Sequence, residues 1–86
     1  MIVKTKLSEV QDLLPSDLEK VQIRGQGASS FLFAVNKGRA VEISESEGEL
    51  WLEFWDKSDD EDAAAVKECS VANPETAALE TQRWLK

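Results

Sequence analysis

Eighty-six residues with 17 acidic and 10 basic side chains, a formal net charge of -7 and 42% hydrophobic content describe one small acidic domain over residues 1-86. The chain is too short for two cores and too apolar for a disordered acidic segment. It has neither histidine nor tyrosine, which removes the usual general base near neutral pH and every Ser-His-Asp or Cys-His system, and its one cysteine, Cys69, can supply neither an internal disulfide nor a zinc site.

Met1-Ile2-Val3-Lys4 leads at once into polar sequence. That start lacks the apolar stretch of about 7 to 15 residues that a signal peptide needs, and no apolar run approaches the roughly 20 residues of a membrane span. A cytoplasmic protein is therefore expected, and no membrane partner. Ser8 followed by Gln11 fits a capping box, and Leu7, Val10, Leu13 and Leu14 recur at helical spacing before Pro15. They predict a short N-terminal helix. Ser16 and Glu19 could form a second box, but Lys20 to Arg24 alternates polar and apolar and then meets Gly25 and Gly27, the pattern of a strand ending in a turn. Gly25-Gln26-Gly27 has neither the third glycine of a dinucleotide fingerprint nor the Lys-Ser/Thr of a phosphate loop.

The apolar run Phe31 to Val35, the alternating Ala40 to Glu45 and the segment Leu50 to Trp55 are separated by turn candidates at Asn36-Lys37-Gly38 and Ser46-Glu47-Gly48. Connections this short cannot carry a parallel crossover, so the three strands form an antiparallel meander. Phe31 and Phe33 are expected in its core. On the last strand Leu50, Leu52 and Phe54 point to one face and Trp51, Glu53 and Trp55 to the other, so both faces carry large apolar groups.

Asp56, Ser58, Asp60 and Asp62 alternate as the early ligands of a calcium loop do. The sixth position, however, is Glu61 where glycine is needed, and the twelfth is Lys67 where a bidentate glutamate belongs. A solvated acidic loop is the expectation, and no metal or other cofactor is called for. Ala65 to Val71 reads as a further strand, with Cys69 a buried structural thiol. Asn73 and Pro74 are a good N-cap and first helical residue. Ala77, Ala78, Thr81, Trp84 and Leu85 then fall on one side of a C-terminal helix, with Leu79 opposite. The fold class predicted is α+β: an antiparallel meander sheet of four to five strands, with a short N-terminal helix and a C-terminal helix packed on one side.

Charge along this chain is regional. Between Glu42 and Asp62 lie ten acidic residues and one base, a net of -9, and the remainder carries +2. Such a field repels phosphate backbones, so no nucleic-acid partner is expected, and it steers a basic protein inward; serving solubility and guarding sheet edges is its plainer use. Trp51 and Trp55 sit inside this segment, and two placements stay open for them: covered by a helix as core, or exposed as a contact patch. Aromatic anchors with a charged rim are what binding hot spots look like, and an indole beside a carboxylate can hold a cation.

The sequence thus points to a non-enzymatic protein-binding module, an adaptor, an inhibitor of a basic protein or an immunity-like factor. Its contact residues would be Trp51, Glu53 and Trp55 with the loop acids Asp59, Asp60, Glu61 and Asp62. The alternative is a structural homodimerising domain whose charge serves solubility only. No catalytic residue is expected.

Overall fold

A computed structural model describes residues 5–25, 29–56 and 65–85. Their order is α1 (Lys6–Leu13), β1 (Lys20–Arg24), β2 (Phe31–Asn36), β3 (Arg39–Ser46), β4 (Glu49–Trp55), β5 (Lys67–Val71) and α2 (Pro74–Leu85). The five strands make one sheet in sequence order, each antiparallel to the next. This is the α+β meander expected, at the upper end of the predicted strand number.

Two tight turns set the register. Lys37 and Gly38 have φ of 52 and 79°, Glu47 and Gly48 have φ of 52 and 82°. Positive φ at both central residues is the type I′ hairpin turn, whose twist matches that of the strands it joins. The turns place Asn36 opposite Arg39 and Ser46 opposite Glu49, which in turn fixes Leu32 opposite Ile43 and Ile43 opposite Leu52.

One face of the sheet is the core. Leu32, Ala34, Val41, Ile43, Leu50, Leu52 and Phe54 are buried there, with Val21, Cys69 and Val71 packed at the margins. Both helices lie on this face: α1 contributes Leu7 and Val10 with Leu14 just beyond its end, and α2 contributes Ala77, Ala78 and Leu85. The alanines present no bulk, so α2 can run close to the strands. Thr81 is fully buried on the same side and its hydroxyl donates to the Ala77 carbonyl at 2.8 Å, which removes the cost of burying it.

Helix ends are tied down by side chains. Thr5, not Ser8, caps α1, its hydroxyl accepting from the Ser8 N–H at 3.1 Å. The helix stops at Leu13, two residues before Pro15, and Leu13 itself is 46% exposed. It lies well round the helix from Leu7, so the apolar stripe is Leu7, Val10 and Leu14. Asn73 caps α2 through its side-chain oxygen, 2.8 Å from the Thr76 N–H, with Pro74 in the first turn as expected. At the other end, Asn36 Nδ2 donates to the Leu85 carbonyl and Arg39 to the Trp84 carbonyl. Lys6 reaches from α1 to the carbonyls of Gly48 and Ala72. Trp84 is half-buried at the rim of the core: it meets Phe54 edge-on at 5.4 Å and its indole N–H donates to the Trp55 carbonyl at 3.0 Å. Leu79 is exposed, as its place on the helix predicts.

Two further sequence expectations are corrected. Phe31 and Phe33 do not enter the helix-packed core. Register sets Phe31 opposite Ser44 and Phe33 opposite Glu42, on the other face, where both rings are half-buried. The last strand begins at Lys67 rather than Ala65.

Candidate functional site

Alternation that sends Leu50, Leu52 and Phe54 into the core sends Trp51, Glu53 and Trp55 to the opposite face, and there no helix follows. Among the described residues nothing packs over this face, which three cross-strand rows organise. The first runs Arg24, Phe31, Ser44, Trp51, Ser70; the second Gln22, Phe33, Glu42, Glu53, Glu68; the third Lys20, Val35, Ala40, Trp55.

Trp51 is 41% exposed, whereas Trp55 is half-buried. Ala40 lies between Val35 and Trp55 and is buried although no helix covers it. With Val35 and Trp55 as its cross-strand neighbours, Ala40 makes this corner of the face apolar. Beside Trp51 is a depression of about 290 Å³ lined by Ser46, Glu47, Glu49, Trp51 and Ser70.

The middle row is the electrostatic feature. Glu42 faces Glu53 and Glu53 faces Glu68, three like charges directly across adjacent strands, an arrangement that destabilises a sheet. Glu42 is half-buried, and burial, reinforced by the facing Glu53 carboxylate, raises its carboxyl above the ordinary value of 4.5 while Arg24 pulls it back. Among the described residues these three carboxylates take part in no ion pair; those present are Arg39–Asp56 and Arg83–Glu80, both elsewhere. Arg24 rests its guanidinium over the Phe33 ring at 4.9 Å and is steadied by its Nε donating to Gln22 at 2.7 Å.

Comparisons of the chain with protein-family models, with curated proteins and with solved structures each gave no match. Chemistry therefore has to be read from the residues themselves. Of the predicted contact residues, Trp51, Glu53 and Trp55 share one face, while Asp59, Asp60, Glu61 and Asp62 lie outside the described residues. The acidic segment does not act as a block. Glu42, Glu49 and Glu53 share the helix-free face, Glu47 is in the β3–β4 turn and Asp56 is 3.8 Å from Arg39 at the far end of β4.

Sequence reasoning missed Glu68, Phe31 and Phe33 as members of this face. Counting outward from the two glycine turns supplies the phenylalanines, since pairing Asn36 with Arg39 forces Phe33 opposite Glu42. Glu68 alternates with Cys69 and needs only the β4–β5 register. Cys69 is half-buried on the core side, and burial pushes its thiol above its ordinary value despite nearby Lys67, the setting of a poor nucleophile. No group of three or more His, Cys, Asp or Glu side chains suited to a metal occurs among the described residues, and no described helix is long and apolar enough to cross a membrane.

Proposed function

We propose that this chain is a non-enzymatic protein-binding module whose contact surface is the helix-free face of its sheet, centred on Trp51 and Glu53. One observation carries the reading: both helices pack on the same side, and the opposite side keeps four aromatic rings and a row of carboxylates. A sheet face that only met solvent would not need Phe31, Phe33, Trp51 and Trp55. Indoles and phenyl rings bury much area for few rotatable bonds, which suits them to anchor a partner inside a polar rim. The lack of histidine and tyrosine in the chain supports a binding role over a catalytic one.

A photo-cross-linking residue at position 51, compared with one at position 79 on the exposed side of α2, tests the surface in the cell of origin. A discrete adduct to another protein is expected from position 51 and not from position 79. Alongside it, Trp51→Ser should fold and cost at most about 2 kcal/mol, against about 3 to 5 kcal/mol for truncating the buried Phe54 to alanine. A Trp51→Ser protein that cannot fold would make the indole structural and remove the reading's main support.

A further inference from the structure

We infer that the helix-free face docks an arginine-bearing segment of a basic partner protein, with the guanidinium lying against the aromatic rings and on the Glu42–Glu53–Glu68 row. This rests on the binding role proposed above and names the chemistry of its partner. Charge complementarity is the first ground. The chain carries a net -7, which repels a second copy of itself and draws a basic surface. On this face the glutamate row lies between two rows that hold rings, Phe31 and Trp51 on one side and Trp55 on the other.

The second ground is local conflict. Glu53 has a like charge opposite it on both neighbouring strands, so the free protein bears a repulsion that a cation laid along the row would relieve. Folded sequences tend to break a local rule of this kind where function needs it. The third is a precedent inside the molecule. Arg24 already lies on Phe33 at 4.9 Å, close enough to favour the ionised form of Glu42 against the burial and the Glu53 charge that raise it. It serves the β1 end of the row and leaves Glu53 and Glu68 without a cation among the described residues. Arginine fits this seat better than lysine because its flat guanidinium stacks on a ring and bonds a carboxylate through two N–H groups at once.

The probes are hexa-arginine and hexa-lysine peptides titrated into the intact protein by calorimetry and by the indole N–H signals in NMR. Binding of hexa-arginine is expected to shift the Trp51 indole signal and to exceed that of hexa-lysine several-fold. Glu53→Gln should weaken it about tenfold, the size of a lost charge-assisted hydrogen bond. The same Glu53→Gln should melt no lower than the parent, because it removes repulsion. Glu75→Gln, the same charge change on α2, should alter binding less than about twofold. Equal losses from Glu53→Gln and Glu75→Gln, equal affinity for the two peptides, or an unmoved Trp51 signal would each overturn the inference. Should position 51 still cross-link to a partner in the cell while any of these occurs, only the arginine chemistry is wrong. A dimer in sedimentation at ~100 μM that Trp51→Ser dissociates would give this face to a second copy and sink both readings.

Discussion

Single side chains on the two faces of the sheet do opposite work, and Glu42 on β3 shows how. Its carboxyl is raised above the ordinary 4.5 by burial and by Glu53, so the folded state holds that proton more tightly than the unfolded chain does. A raised acid costs stability while it is ionised, and the cost fades as pH falls through its folded value towards the unfolded one. Glu42→Gln should therefore be more stable than the parent at pH 7, with the gap closing as pH approaches the ordinary glutamate range. Paired thermal melts across that span read it directly. A constant gap at all pH values would mean that the glutamine packs better for reasons unrelated to charge. Core residues were mostly legible one by one, Val41, Ile43, Leu50 and Leu52 by alternation. Phe31 and Phe33 were not, because size and hydrophobicity alone do not say which face a ring takes; register does, and register placed them beside Glu42 and Ser44.

At the scale of elements, the two hairpin turns decide the molecule. A type I′ turn wants positive φ at both central residues, and glycine at Gly38 and Gly48 meets the second demand. Lys37 and Glu47 meet the first at φ of 52° each, a left-handed conformation that costs ordinary L-residues about 1 to 2 kcal/mol and asparagine much less. Lys37→Asn and Glu47→Asn should each raise stability by about 0.5 to 1 kcal/mol, seen as a few degrees in melting temperature. The two changes move net charge in opposite directions. A rise common to both therefore isolates the backbone effect, and a rise in only one would point to charge instead. Helix starts and stops were readable from Asn73, Pro74 and Pro15. The cap of α1 moved from Ser8 to Thr5 because both hydroxyls precede helix-forming sequence and only packing of Leu7 on the sheet chooses between them. Which face the helices would cover was hidden for a similar reason: β4 offers apolar groups on both sides. The decision lies on β3 and β5, where Glu42 and Glu68 would have to be buried beneath a helix on the Trp51 face, a penalty of several kcal/mol for unpaired charges.

On the scale of the whole molecule, a radius of gyration of 12.1 Å and extents of 39 × 25 × 21 Å are comparable to the reach of a charge at low salt. The Debye length is about 30 Å at 0.01 M and about 8 Å at 0.15 M ionic strength, so self-repulsion in a body of this size is felt across it in the first case and only locally in the second. Attractive pairs lost to screening are small by comparison. Both ion pairs among the described residues include an exposed arginine, and such pairs are worth about 0 to 1 kcal/mol. The free protein should therefore melt higher at 0.15 M sodium chloride than at 0.01 M, by several degrees, since a domain of under 100 residues gains about 4 to 8 °C per kcal/mol. The same salt should weaken its hold on a basic peptide, because screening removes the long-range attraction that brings the two together. Both responses follow from the same screening of the -7 charge, so they should appear together over one range of ionic strength. If added salt lowered the melting temperature, favourable pairs would outweigh the -7 charge, and the carboxylate row could no longer be regarded as a cost held in reserve.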